Sequence, residues 1–307
     1  MYGCTDCGTG YLDPRPSPST IGLAYSHYFT HDSAANPGQR LPSAWRRHRI
    51  AQRNAYLNIH YGYHLSPATA RPPPWVSIER RQRWDKLVGF VPYAGEAGRL
   101  LDVGCSNGGF LMQMRKVGWN VCGVEPDPKA AAHAAAAGLD VRVGLLESAG
   151  WPEAHFDAIT LNHVIEHLHR PIITLQECFR ILKPGGIISI STPNLQSLGH
   201  CLFGGDWFGL EPPRHLVVFT PRSLRLALES CGFQPEPSIR LRLISNRIFK
   251  RSMHLRIGSD PIREKPRLPV VMRLKAAWWS WWADRQTQHR PDSTEELVLL
   301  ARRPATA

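Results

Sequence analysis

No apolar run in this chain approaches the length needed to span a bilayer, so a transmembrane helix is not expected. A charged-then-apolar leader is also missing, so no signal peptide is read at the N-terminus. Cysteine is sparse. Seven residues scattered over 307 do not make a disulfide framework, and a reducing, cytoplasmic setting fits them. One pair, Cys4 and Cys7 in a Cys-x-x-Cys-Gly knuckle, is half of a zinc ribbon. No second Cys-x-x-Cys supplies the other two ligands, so no metal is assigned there. An upstream start would be one way to complete it. Acid is scarce too: 25 Asp and Glu face 37 Lys and Arg, giving a net charge of +12. The deficit is local. From Arg40 to Lys86 ten basic residues face two acidic ones, and from Arg240 to Lys275 eleven face two. From Arg99 to Pro235 eleven face twelve. A near-neutral middle with basic flanks is either an ordinary solvated surface or a rim for nucleic acid, anionic lipid or phosphorylated substrate.

The middle is organised around RLLDVGCSNGGFL, residues 99–111. Leu100, Leu101 and Val103 have the length and composition of a buried strand. Gly104, Gly108 and Gly109 follow, then the apolar start of a helix. Strand, glycine turn and helix N-terminus together let the backbone approach a ligand and offer N–H groups to an anion. From here strand and helix patterns alternate. Val121–Glu125 reads as a strand ending in an acid. Asp127 reads as an N-cap before Pro128, with an Ala-rich helix closed by Gly138. Strands are expected over 140–144, 156–161 and 187–191, and a helix over 171–182 stopped by Lys183-Pro-Gly-Gly186. Such alternation predicts an α/β, doubly wound parallel sheet. A further strand is expected over 238–244, and a closing strand over 296–302.

Leu101-Asp-Val-Gly-Cys-x-x-Gly108, the acid Glu125, Phe156-Asp157, His163-x-x-Glu166-His167-Leu168 and Leu182-Lys-Pro-Gly-Gly186, in that order, resemble the class I S-adenosylmethionine (SAM)-dependent methyltransferases. The likeness is strongest to the ubiquinone-biosynthesis O-methyltransferase branch and to methyltransferases of cell-surface polysaccharide synthesis. Residues 207–233 are similar to a segment of that group. The resemblance implies a Rossmann-like seven-stranded sheet and SAM as cofactor. It implies cofactor contacts from Asp102, Gly104, Cys105, Ser106, Gly108, Glu125, Pro126, Leu146 and Asn162. Ser106 departs from the second glycine that many members carry. Domains are then expected at 1–74 (an extension with the half knuckle and a basic Pro-rich linker), 75–245 (the SAM-binding core), 246–294 (a basic insertion) and 295–307 (closing strand and tail).

Other readings of the same parts are weaker. Gly104-x-x-x-Gly108 lacks the Gly-x-Gly-x-x-Gly spacing of a dinucleotide site. His163-x-x-Glu166-His167 also matches a zinc-protease pattern, but that pattern requires metal-ligating histidines on a helix plus a third ligand, and here it follows a Phe-Asp strand inside a methyltransferase-like frame. Base amino-methyltransferases resemble one another in an Asn/Asp-Pro-Pro-aromatic turn, where this chain has Asn162-His163-Val164, so nucleic acid is not the favoured partner. A SAM-fold binding protein without activity stays open. His163, His167 and His215 are the candidate general bases. Alternatively the 163–167 histidines and Glu166 hold a divalent ion, or simply pack and cap. His215, in a Pro-bounded Glu211-Pro-Pro-Arg-His215 loop, suits a substrate lid. The acceptor is a small-molecule or glycan hydroxyl, with a phenolic or quinone precursor second.

Residues 270–285, VVMRLKAAWWSWWADR, read as an amphipathic helix. Trp278, Trp279, Trp281, Trp282, Val271 and Leu274 share one arc, with Arg273, Ser280 and Asp284 opposite. It rests on the inner face of a membrane as a peripheral attachment, caps the substrate pocket, or fills the core.

Overall fold

A computed structural model describes residues 1–25, 43–239, 241, 245–260, 267–287 and 289–305. Two short strands, β1 (Tyr2–Gly3) and β2 (Gly10–Tyr11), open the chain. The helices α1 (Ala44–Tyr61) and α2 (Ile78–Leu87) follow, each capped by a serine, Ser43 and Ser77, whose side chain accepts a backbone N–H. Then come β3 (Arg99–Val103), α3 (Gly109–Lys116), β4 (Asn120–Glu125), α4 (Pro128–Ala136), β5 (Asp140–Val143), β6 (Phe156–Asn162), α5 (Pro171–Ile181) and β7 (Leu182–Pro193). The last third holds α6 (Leu198–Phe203), β8 (Val217–Val218), α7 (Pro221–Ser230), β9 (Gln234–Pro235), α8 (Ser245–Arg256), α9 (Val270–Gln286) and β10 (Glu296–Arg302).

The seven-stranded sheet has the order β5-β4-β3-β6-β7-β10-β9. The pairs β3–β4, β3–β6 and β4–β5 are parallel. Strand order reverses between β3 and β6, and ligands of open α/β sheets sit at the carboxyl ends of strands at such a switch. A second sheet, β1-β2-β8, is antiparallel.

Between residues 99 and 193 most boundaries fall where the sequence places them; α1, α6, α8 and the β1-β2-β8 sheet lie in stretches for which it predicts no element, and three other differences stand out. Lys183–Gly186 does not merely stop α5. It already belongs to β7, where Gly185 N–H donates to the Arg303 carbonyl and Arg303 N–H to that of Gly186. Of the strand expected over 238–244, residues 240 and 242–244 lie outside the described residues, and Ile239 forms a single antiparallel bridge to Val298. The tryptophan arc of α9 is divided. Trp279 and Trp282 pack on a core of Phe203, Trp207, Phe249, Met253, Ala276 and Ala283, while Trp278 and Trp281 are exposed. Ser280, expected on the polar side, is buried because that side of the helix also meets the core. Residues 26–42 and 261–266, parts of the two basic Pro-containing stretches, lie outside the described residues.

The chain forms two compact units. One is built from Tyr28–Asn162, Gln176–Ser189 and Arg302–Ala307, and the other from Met1–His27, His163–Leu175 and Ile190–Ala301. No helix among the described residues is long and apolar enough to cross a membrane.

Candidate active site

The first unit carries the glycine turn. Leu100, Leu101 and Val103 are buried in β3, and Asp102 is buried among them. Gly104 and Cys105 both donate backbone N–H bonds to the Val124 carbonyl, tying the turn to β4. Gly104, Ser106 and Gly108 all have positive φ, of 70°, 50° and 78°. That region is cheap only for glycine, and it explains why a glycine suits position 106. Gly108 has a second reason. A Cβ there would come within 2.3 Å of Leu139 Cδ1, so its missing side chain serves helix packing more than ligand approach.

Glu125 ends β4 almost buried. One carboxylate oxygen accepts the Ser106 N–H at 2.8 Å and the other the Asp127 N–H at 3.0 Å. The acid is thus oriented by the turn itself. A carboxylate has about four lone-pair directions, so two backbone bonds fix its plane while it can still accept vicinal hydroxyls. Asp102 accepts the Thr160 hydroxyl at 2.6 Å and a bond from Asn162. Burial pushes its pKa up to about 7, helped by the nearby charge of Glu125 and opposed by the Thr160 bond. The Cys105 thiol is raised by burial and by both acids. Pro126 is exposed beside Glu125, and Leu146 is buried in a 3-10 turn, Leu146–Ser148. This donor set fits SAM. An anchored acid at a strand end suits ribose hydroxyls, and the left-handed turn presents backbone to the rest of the ligand.

The second unit carries the histidines. His163 is the next residue after Asn162 and has φ +54°, a strained conformation for a residue with a side chain. Its N–H donates to the Ser191 carbonyl at 2.8 Å. Its Nδ1 lies 3.3 Å from Glu166 Oε1 and its Nε2 3.6 Å from Glu296 Oε1. Loss of hydration works against the imidazolium only in part, since the side chain is 53% exposed, and the two carboxylates overcome it and raise the pKa to about 10. Glu166 has 0% exposure and also accepts the Thr192 hydroxyl at 3.0 Å. Burial would raise its pKa; the His163 bond and charge reverse that and hold it at about 2.

His167 behaves differently. Burial lowers its pKa against the opposing charge of Glu166. Its Nδ1 lies 3.0 Å from the Arg214 carbonyl, which can only accept, so Nδ1 carries the proton and Nε2 the lone pair. The Tyr25 hydroxyl stands 3.0 Å from the same Nδ1. His215 is buried, its pKa lowered to about 4 by desolvation, with Nδ1 held 2.8 Å from the Gly209 carbonyl. Its ring packs edge-on against His167. The loop expected as a lid is packed inward at Arg214-His215. Both residues are buried, and the Arg214 guanidinium pairs with Glu211. Glu166, His167 and His215 each place one potential ligand atom within 4.8 Å of the others, so they are the described residues that could hold a cation.

His163, His167 and His215 thus come together around Glu166. Thr192, Glu296, Tyr25 and Thr160 were not legible as site residues. Nothing local marks Glu296, 130 positions from Glu166, and Thr192 shows only as the residue just past a predicted strand.

A switch-point sheet with an anchored acid and a left-handed turn defines a class I methyltransferase fold, and SAM is the cofactor of that class. The chain belongs to the methyltransferase domain family, whose sequence profile matches residues 77–237, just over half its length. It is 33% identical over 146 residues to a probable S-adenosylmethionine-dependent methyltransferase of Mycolicibacterium smegmatis, covering 47% of this chain and 55% of that one. It is 33% identical over 157 residues to a ubiquinone biosynthesis O-methyltransferase of Cereibacter sphaeroides, covering 47% and 64%. The chain therefore spans less than two thirds of the length of either relative. The 4+2 cyclase SpnF superposes with a TM-score of 0.51 at 20% identity, covering 86% of this chain and 97% of that one. At that identity the likeness concerns the fold alone, and a fold does not fix a reaction.

Proposed function

We propose that this chain is a SAM-dependent O-methyltransferase in which His167 is the general base. When bound, SAM supplies an electrophilic methyl on a sulfonium, open to in-line attack by an acceptor oxygen. Glu125 holds the ribose hydroxyls, and the residue 104–108 turn receives the remainder of the ligand, with Asp102, Cys105, Asn162, Pro126 and Leu146 around it. The chain's task is to position the acceptor and take its proton. The observation that carries the reading is the contrast between two neighbouring histidines. His163, held between two carboxylates, is a cation at neutral pH and cannot accept a proton. His167 is neutral, with Nδ1 committed to a carbonyl and Nε2 basic. His163 then serves to fix Glu166 and to offer positive charge to an acceptor oxygen.

The acceptor proposed is a sugar hydroxyl on a cell-surface glycan or its lipid-linked precursor, reached from the cytoplasmic side by a chain attached peripherally to the membrane. An alcohol is a weak acid and needs a positioned base. A phenolic precursor, whose pKa of about 10 needs less help, is the second reading. The names of the ubiquinone-biosynthesis relatives favour it. Incubation with labelled SAM and either a cell-envelope extract or a phenolic quinone precursor, followed by product mass spectrometry, separates the two. Label only in the phenol overturns the glycan reading, and label in neither overturns methyl transfer to both. Activity is expected to survive chelation. Recovery only on adding a divalent ion would transfer the role to a cation on Glu166, His167 and His215.

A further inference from the structure

The tryptophan-rich helix does two jobs on two sides. Its inner side, Met272, Ala276, Trp279, Ser280 and Ala283, packs on the core. Its other side carries Val270, Val271, Leu274, Trp278 and Trp281, all exposed, with Trp278 at 60% and Trp281 at 52%. With Ala277, these residues follow one another at helical spacing and fill an arc of about 120°. A contiguous apolar stripe of this kind is costly in water and marks an interaction surface.

The stripe is bordered by positive charge. At about 100° per residue, Arg273 lies beyond one edge and Lys275 beyond the other. Arg267 precedes the helix, and Arg285 ends it with its guanidinium 4.4 Å over the Trp281 ring. All four are exposed. The one acid in the helix sequence, Asp284, accepts the Ser245 hydroxyl of α8 at 2.8 Å. That bond joins the start of α8 to the end of α9.

We propose that the outward stripe of α9 docks on an anionic lipid bilayer. The sequence arc alone left the membrane, the pocket and the core open as destinations for four tryptophans; the division of the arc assigns two to the core and two to lipid. Tryptophan is favoured at the water–lipid boundary, where its ring meets acyl chain and its N–H meets headgroup. Lysine and arginine around an apolar face reach anionic headgroups while their stems cover hydrocarbon. A helix docked at the interface turns an apolar arc to the hydrocarbon and sets cations along its border, and α9 offers both while its inner side stays on the core. This surface deepens the peripheral attachment proposed above. It needs no acceptor and no methyl transfer, so its failure is distinct from failure of the enzymatic reading.

The test is flotation of the full chain with phosphatidylglycerol–phosphatidylcholine vesicles and with phosphatidylcholine vesicles alone. Wild type should float with the anionic vesicles, less with the neutral ones, and less at high salt. Trp278→Ser/Trp281→Ser should keep the wild-type melting profile, because both rings are exposed, and partition at least about tenfold more weakly. If that variant misfolds, Leu274→Glu on the same stripe gives the same reading with one exposed change. Wild type unbound to both vesicles overturns the proposal. So does equal binding to both, or folded variants that float as well as wild type. A concentration-dependent dimer abolished by the same changes, without vesicle binding, would give the stripe to a second copy of the chain instead.

Discussion

Asp102 in one unit and Glu166 in the other are acids with almost no exposure, yet the protein treats them oppositely. Asp102 has a hydroxyl, an amide and a second acid as company, and burial raises its pKa to about 7. Glu166 has His163, and its pKa falls to about 2. Burial is common to both, so burial does not decide the charge; the presence of a cation does. The strained residues make a parallel pair. Ser106 and His163 both sit at positive φ without being glycine. Ser106 has no evident need for its side chain there, since it is the backbone N–H that meets Glu125. His163 needs its ring to join Glu166 and Glu296. One unit tolerates strain, and the other uses it.

The largest expected effect lies in the histidine unit. His167→Ala should lose roughly 10²–10⁴ in turnover, with SAM affinity within a few-fold. The wild-type rate should hold as pH falls through 6.5, the ordinary histidine value, and drop only in more acid solution, because the base titrates low. Near-normal rates for His163→Ala, His167→Ala and His215→Ala alike would mean an acceptor acidic enough to need no base.

Next comes the pair of buried acids. Glu166→Gln leaves the half-exposed His163 with half its counter-charge and should cost about 1–2 kcal/mol by chemical denaturation, water screening part of the loss. Asp102→Asn removes a charge the fold disfavours and should stabilise at pH 8, where the wild-type carboxyl is ionised. The pH dependence has opposite signs. Glu166 contributes stability that is present above its ordinary 4.5 and is lost as pH falls towards 2. Asp102, raised from 3.8 to about 7, binds a proton on folding, so its contribution is lost as pH rises through that window. Melting of Asp102→Asn without SAM should show a shallower decline between pH 4 and 7. An unchanged slope would mean that Asp102 is ionised in the folded chain.

A smaller effect is expected at Glu125. Because its oxygens anchor two backbone N–H groups, replacement by alanine would loosen the turn as well as the ribose site, and glutamine is the cleaner change. Glu125→Gln should weaken SAM by about tenfold in calorimetric titration, as loss of one charged hydrogen bond requires. Smallest is Ser106→Gly, which relieves a left-handed serine and should stabilise by about 1 kcal/mol with SAM binding intact. The matching change His163→Gly relieves the same strain but should destabilise, because Glu166 and Glu296 both lose the imidazolium they share.

Much of this was legible residue by residue. Glycines, an acid at the end of a short apolar run and an N-cap before proline are local signals, and β3, β4 and α4 form where they predict. Lys183–Gly186 misled, because Pro-Gly-Gly is a breaker in any local reading, whereas here Gly185 and Gly186 pair with Arg303, far along the chain. The histidine cluster was half visible. His163, Glu166 and His167 are neighbours in sequence, but their protonation was not readable.

By itself the sequence determined the strand and helix periods between residues 99 and 191, the place of the glycine turn and the family to which its ordered motifs belong. These depend on a residue's own backbone preferences and on spacings of three, four or two. The tertiary structure alone decided which histidine is charged. That depends on Glu296 arriving beside His163 from 133 residues away, and on the Arg214 carbonyl fixing the tautomer of His167 from 47 away. It alone decided the fate of the tryptophans as well. A helical period sets the angle of each ring about the axis, but only the packing of α6 and α8 against one side of α9 settles which angles are covered and which face outward.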